Sequence, residues 1–329
     1  GQITAALAAG NTVIAKPAKQ TSLIAGRAIE LMLEAGIPGS AIQLLPGDGA
    51  TVGAPLTSDP RIAGVAFTGS TETAHLINRS LTARDCPPVP LIAETGGQNA
   101  MIIDSTSLPE QVVKDAVQSA FVSAGQRCSA LRVLCVQSDI ADRIIDLLQG
   151  AMAELKTGNP CLHSTDVGPV IDAEAQQGLL SYIDQMQSHA KLLAQTPLHA
   201  DADQGTFVPP TAFEIDSIER LGREQFGPIM HLVRYKARDL DRLIDQINHC
   251  GYGLTLGIHS RNEGTAAHIE SRARVGNTYI NRNQVGATVG VQPFGGQGLS
   301  GTGPKAGGPH YLLRFTQLAT AATPKAEEE

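Results

Sequence analysis

VPLIAETGGQNAMIID, residues 89–104, sets two apolar runs on either side of a Glu-Thr-Gly-Gly turn. Short apolar runs bounded by turn residues read as buried strands. The first run ends on Glu94, and the carboxyl edge of a parallel strand is where α/β enzymes place working groups. A cap or surface turn is the competing reading of that residue taken alone.

The same alternation extends outward. TVIAK (12–16) reads as a strand, followed by a helix that Thr21 can cap and Gly36 ends. AIQLLPG (41–47) is a strand and turn, and IAGVAFTGS (62–70) a strand running into a helix near Thr71. After Pro109 a second series begins. PEQVVKDAVQSAFVSAG reads as a helix, LRVLCVQ (131–137) as a buried strand, and SDIADRIIDLLQGAMAELKTGNP as a capped amphipathic helix stopped by Gly158 and Pro160. Helices near 172–190, 237–249 and 263–274 then alternate with strands near 226–235, 254–259 and 276–281. The fold class is α/β, a parallel sheet with helices on both faces.

At 329 residues the chain has room for about two domains. The boundary falls near ETGG (94–97), so that Glu94 and a cysteine at 128 would face each other across the junction, where ligand sites concentrate. A net charge of −7 gives no reason to expect nucleic acid or anionic lipid as a partner. No apolar stretch is long enough for a membrane span and no signal peptide is visible. The five cysteines are scattered with no CxxC pair, which points to a reducing, cytoplasmic setting. The nine histidines form no ligand cluster, so no metal is assigned. GQITAALAAGNTVIAKP looks like the inside of a domain, and KAEEE like a disordered tail.

Cys128 sits in AGQRCSALRV (124–133), in a loop between a helix and a strand. Most free cysteines are small buried hydrophobes, and Cys135 is read as one. Cys128 differs in having Arg127 beside it, a cation that can lower a thiol pKa. Those residues alone still favour the packing role. PGDGATVG (46–53) could cradle a phosphate, but Gly47, Gly49 and Gly53 are spaced one residue too widely for the dinucleotide fingerprint. FTGST (67–71) puts Phe67, Thr68, Gly69 and Ser70 between a strand and a helix start. Lys16, at a strand end, could reach a ribose or phosphate. EQFGPI (224–229), NRNQVGAT (281–288) and QPFGGQGLSG (292–301) are loops that could serve packing alone.

In this order KPAKQT, FTGSTE, ETGGQNA, GQRCSA, EQFGPI and PFGGQGLSG resemble the motifs of the aldehyde dehydrogenase superfamily over nearly the whole chain. NRNQVGATVGVQPFGGQGLSGTGPKAGGPHYLLRF narrows the resemblance to the glutamate semialdehyde (1-pyrroline-5-carboxylate) dehydrogenase domain of bifunctional proline utilization A proteins. It implies a Rossmann-type partial dinucleotide-binding domain over 1–95, a catalytic domain over 96–300, and a C-terminal segment with an acidic tail over 301–329.

The implied chemistry is NAD-dependent oxidation of L-glutamate γ-semialdehyde to glutamate in proline catabolism. Cys128 is the nucleophile of a thiohemiacetal and thioester, and Glu94 the base that activates water. Lys16 and Glu224 hold the riboses, Phe226 packs near the nicotinamide, and Gly69 and Ser70 sit by the pyrophosphate with Gly49 and Gly53 nearby. Ser129, Gly286 and Ala287 anchor the substrate carboxylate.

Lys19 stands where the family usually has a glutamate, which would tolerate NADP beside NAD. The resemblance also implies an upstream segment supplying an oxyanion-hole asparagine, an upstream proline dehydrogenase domain with its own FAD, and a homo-oligomer. An aldehyde dehydrogenase of different substrate and an inactive fragment with the fold only are the alternatives. A reductive relative working on an acyl phosphate would need no water-activating base, and a cysteine hydrolase would need a histidine that is absent near Cys128 in sequence.

Overall fold

The computed structural model describes residues 1–317. The KAEEE tail, with the end of the 301–329 segment, lies outside the described residues. Strands are β1 (Val13–Ala15), β2 (Ile42–Leu44), β3 (Val65–Thr68), β4 (Leu91–Glu94), β5 (Ala100–Ile103), β6 (Val133–Gln137), β7 (Lys191–Gln195), β8 (Thr211–Ile215), β9 (Ile229–Tyr235), β10 (Tyr252–Gly253), β11 (Thr255–His259), β12 (Asn277–Ile280) and β13 (Gln297–Gly298). Helices are α1 (Gln2–Ala8), α2 (Ser22–Glu34), α3 (Ala54–Ser58), α4 (Thr71–Thr82), α5 (Pro109–Phe121), α6 (Ser138–Ala153), α7 (Ala173–Gln187), α8 (Leu240–His249) and α9 (Glu263–Arg272).

The chain forms two compact units. Among the described residues, the first comprises 1–66, 76–92 and 304–317; the second comprises 67–75 and 93–303. This differs from the boundary at 95 and from a separate segment after 300. Ala93 and Thr95 explain the difference: the Ala93 N–H donates to Thr302 Oγ1 at 3.0 Å and the Thr95 N–H to the Ser300 carbonyl at 3.1 Å. Glu94 therefore belongs to the same unit as Cys128. From Pro304 the chain returns to the first unit, where Tyr311 is buried with Ala5 and Ile92.

In the first unit β1 and β2 pair in parallel, and Ala15, Ile29 of α2 and Ile42 form a small core. Thr21 precedes α2 but does not cap it with its side chain; its hydroxyl donates back to the Ala18 carbonyl. Likewise Gln137 precedes α6 without a side-chain cap, and Ser138 donates to the Tyr235 carbonyl instead.

The second unit is built on a seven-stranded sheet in the order β12-β11-β5-β6-β9-β8-β7. All neighbours are parallel except β7, which pairs antiparallel to β8 at one edge. β7 and β8, KLLAQ and TAFEI, are absent from the sequence reading. Each is only five residues long, in a stretch rich in proline and polar residues that offers no sustained period.

Alternation explains the two layers. Met101, Ile103, Leu134 and Val136 bury against Val112 and Ala116 of α5 and Ile144 and Leu148 of α6. Ala100, Ile102, Val133 and Cys135 point the other way, onto Leu243, Ile244 and Ile247 of α8 and Ile269 of α9. Cys135 is thus the core residue expected, and burial pushes its thiol well above the ordinary range. Among the described residues no helix is long and apolar enough to cross a membrane.

Leu134→Ala should cost about 2–5 kcal/mol in urea unfolding, because α5 and α6 cannot close over the vacated volume. Leu162→Ala, at an exposed position, should stay within about 0.5 kcal/mol.

Candidate active site

Three loops of the second unit build the site: 94–99 after β4, 122–132 before β6, and 224–228 before β9. Glu94 ends β4 with its backbone held on two sides. Its carbonyl accepts the Gly69 N–H at 3.1 Å, and Glu94 bridges to Gly301, so FTGST and QGLSG both serve as its frame. Its Oε1 is buried with no hydrogen-bond partner. Burial alone raises its carboxyl to about 7, which leaves a base half-formed near neutral pH.

Cys128 follows an unusual turn. After α5 the backbone enters the left-handed region at Ser123 (φ 57°), Ala124 (φ 53°) and Gly125 (φ 65°). Such conformations cost non-glycine residues roughly 1–2 kcal/mol each and persist only under tertiary constraint. The constraint is visible. A Cβ at Gly125 would run into the Gly227 carbonyl, and Asn99 Nδ2 donates to the carbonyls of Cys128 and Ala130 at 2.6 and 2.9 Å.

The thiol of Cys128 is raised above its ordinary value, first by burial and then by the Glu224 and Glu94 carboxylates; the N–H groups of Ser129 and Cys128 act against this. Arg127 does not lower it as expected, since its Nε turns to Ser123 Oγ at 3.2 Å. At rest Cys128 carries a thiol rather than a free thiolate.

Glu224 is held by Arg132, whose side chain is 1% exposed. Arg132 Nε and Nη2 donate to Glu224 Oε1 at 3.3 and 3.0 Å, Nη1 to the Gly227 carbonyl at 3.0 Å, and Nη2 to the Arg127 carbonyl at 3.3 Å. Burial raises the Glu224 carboxyl, opposed by the Arg132 cation and by the Gly97 N–H. Phe226 is 46% exposed, its ring 5.5 Å from the Arg132 guanidinium. A Cβ at Gly96 would overlap Glu224 Oε2, so only glycine admits that carboxylate.

Ser129 is buried next to Cys128. The 281–288 loop reaches it through Gln284, whose Nε2 lies 3.5 Å from the Ser129 carbonyl and whose N–H donates to Ser119 Oγ at 3.1 Å. Gly286, exposed with φ +88°, and Ala287, half-buried, follow on that loop. Phe67 lies against Gly69, where a Cβ would overlap its ring, and Thr68 and Ser70 are exposed. Ser70 Oγ accepts the Thr73 N–H at 3.2 Å at the start of α4.

Lys16, Gly49 and Gly53 belong to the first unit. Lys16 Nζ donates to the carbonyls of Pro17 and Gly47 at 2.8 and 3.1 Å. The phosphate-cradle reading of PGDGATVG fails locally: Asp48 Oδ1 already accepts the Ala50 and Thr51 N–H groups at 2.8 and 2.7 Å, placing a carboxylate where an anion would sit. No group of three His, Cys, Asp or Glu among the described residues is placed to hold a metal.

Asn99 and Arg132 escaped the sequence reading. Their signal was present, a polar residue opening the run AMII and an arginine inside LRVLCV, where an uncompensated charge is costly.

The Glu94 carboxyl titrates near 4.5 unfolded and near 7 folded. Folding loses stability as pH rises through that window, and the whole penalty applies above it. Glu94→Gln should therefore raise Tm little at pH 4.5, increasingly up to pH 7, and by a constant amount beyond. Calorimetry across that range checks the curve.

The aldehyde dehydrogenase family profile matches residues 1–321. The bifunctional protein PutA of Klebsiella aerogenes is 58% identical over 323 residues, 96% of this chain and 25% of that protein. The 1-pyrroline-5-carboxylate dehydrogenase of Geobacillus thermodenitrificans (strain NG80-2) is 36% identical over 98% of this chain and 63% of the relative. Among solved structures, a 1-pyrroline-5-carboxylate dehydrogenase from Thermus with bound NAD superposes with a TM-score of 0.90 at 35% identity, covering 96% of this chain and 61% of that one. The chain thus spans about a quarter of the first relative's length and less than two thirds of the second's. With a profile match over almost its whole length, the chain belongs to the aldehyde dehydrogenase family.

Proposed function

We propose that the protein oxidises L-glutamate γ-semialdehyde, the open form of 1-pyrroline-5-carboxylate, to glutamate with NAD. The observation that carries the chemistry is a buried, unpartnered Glu94 oxygen in electrostatic reach of the Cys128 thiol. The substrate class is supported by the names of the relatives and by the loop holding Ser129, Gly286 and Ala287.

The residues present fit a dinucleotide. Gly69 leaves open a place that a Cβ would fill against Phe67, Glu224 presents a carboxylate able to accept ribose hydroxyls, and Phe226 offers a half-exposed ring. Ser70 opens α4, where the helix dipole favours an anion. The same reading assigns Thr68 to this surface and Lys16, Gly49 and Gly53 to cofactor contact on the first unit. Lys19, exposed in KPAKQT, leaves NADP a weaker alternative. Bound NAD supplies the hydride acceptor.

Cys128 Sγ adds to the aldehyde carbon as its proton leaves by way of water to solvent, so that Glu94 stays free for the hydrolytic step. The Cys128 N–H donates to the developing oxyanion. Once the carbon is at the oxidation level of a thioester, Glu94 removes a proton from water as that water attacks. The Cys128–carbonyl bond then breaks, the proton held by Glu94 passing to the sulfur to return the thiol as the carboxylate is released. Ser129 and the Gly286–Ala287 backbone hold the substrate's α-carboxylate through N–H and O–H donors. A reductive enzyme acting on an acyl phosphate has no use for Glu94 as a base, which favours the oxidative direction.

Cys128→Ala should abolish NADH formation, whereas Glu94→Gln should give one burst of NADH per site followed by slow turnover. Stopped-flow absorbance at 340 nm reads both, and steady turnover by the alanine variant would refute the assignment. In the wild type the hydrolytic step should quicken as pH rises through about 7, the Glu94 value.

An aliphatic aldehyde of similar length without the α-carboxylate should lose about 1.5–3 kcal/mol of transition-state stabilisation, roughly tenfold or more in kcat/KM. Equal kcat/KM for propanal and the semialdehyde would remove the carboxylate anchor from the scheme.

A further inference from the structure

We propose that Arg132 is a positioning residue that sets the Glu224 carboxylate and the Phe226 ring at the cofactor surface and ties both to the nucleophile loop. The inference rests on the dinucleotide reading above.

The geometry singles out this side chain. Arg132 lies in the buried stretch leading into β6, four residues after Cys128, with its guanidinium inside the protein. Two of its nitrogens converge on one oxygen, Glu224 Oε1, while the other donations go to backbone carbonyls on both loops, Gly227 and Arg127. Its main chain is fixed as well. The Arg132 N–H donates to the Asn99 carbonyl at 2.9 Å, and its carbonyl accepts the His231 N–H at 2.8 Å.

A planar fork with this many fixed acceptors specifies an orientation, which a lysine ammonium cannot reproduce. Glu224 Oε2 is left facing Gly96, and Phe226 lies over the guanidinium face. The part of the surface assigned to ribose and nicotinamide is therefore oriented by a residue whose opposite contact lies one peptide from Cys128. If that surface must sit at a set distance from the sulfur, Arg132 is the group that sets it.

A purely structural arginine would weaken everything alike, whether or not Glu224 were present. The test is a cycle of wild type, Arg132→Lys, Glu224→Gln and the double variant, each confirmed folded by thermal melting. NAD affinity is read by calorimetry. Alkylation of the Cys128 peptide by iodoacetamide against pH, followed by mass spectrometry without cofactor, reads the nucleophile.

Arg132→Lys should weaken NAD at least tenfold and shift the alkylation midpoint in the protein that retains Glu224. It should add little to either effect once Glu224 is glutamine. Effects of equal size with and without Glu224 would overturn the proposal. Absence of NAD binding by the wild type would refute the dinucleotide reading instead, and the alkylation arm would still decide whether Arg132 acts through Glu224. Should Arg132→Lys not fold, Gly96→Ala displaces the carboxylate while leaving Arg132 intact. It should then match Glu224→Gln in NAD affinity, and unchanged affinity would overturn the proposal.

Discussion

A guanidinium inside a protein demands acceptors, because removing it from water costs several kcal/mol that only a paired charge and fixed carbonyls offset. Arg132 meets that demand with Glu224, Gly227 and Arg127. In doing so it draws together GQRCSALR and EQFGP, segments about a hundred residues apart. The glycines follow from the same constraint. Gly96 makes room for the Glu224 carboxylate, and Gly125 lets its turn pass against the Gly227 carbonyl. These are close approaches of backbone to polar groups, which a side chain would block. Asn99 completes the arrangement with its two donations to the Cys128 loop and its Oδ1, which accepts the Thr255 N–H at 3.1 Å.

The electrostatics of the site run against the simplest picture of a reactive cysteine. Burial raises the Cys128 thiol first, and the Glu224 and Glu94 carboxylates raise it further. The same burial raises Glu94 to about 7. A carboxyl that titrates near neutral pH is suited to take a proton from water. The left-handed turn at Ser123 and Ala124 leads to Cys128 at a local conformational cost, held by the Asn99 donations to the carbonyls of Cys128 and Ala130.

Much of this was legible in the chain. The alternation of short apolar runs with amphipathic helices indicates an α/β sheet, and the Met101–Ile103 and Leu134–Val136 positions follow from period two. Glu94 and Cys128 taken alone read as a turn residue and a packing residue, and only the ordered motifs, which name a family, single them out. β7 and β8 escaped notice because five-residue strands in a proline-rich stretch have no period to read. Thr21 looks like a cap, yet the chain turns so that its hydroxyl finds Ala18. Arg127 looks like the activating cation because it is adjacent in sequence, although adjacency does not determine where a long side chain points.

The sequence by itself determined the alternation of strands and helices and, through its ordered motifs, the family. These follow from residue chemistry and local period, which are properties of short segments. Tertiary structure alone decided that Glu94 shares a unit with Cys128, that Arg132 rather than Arg127 is the organising cation, and that Asp48 fills the turn at 46–53. Each of those outcomes depends on which distant backbone and side-chain groups occupy the space around a charge. That occupancy controls desolvation and pairing, and no local pattern encodes it.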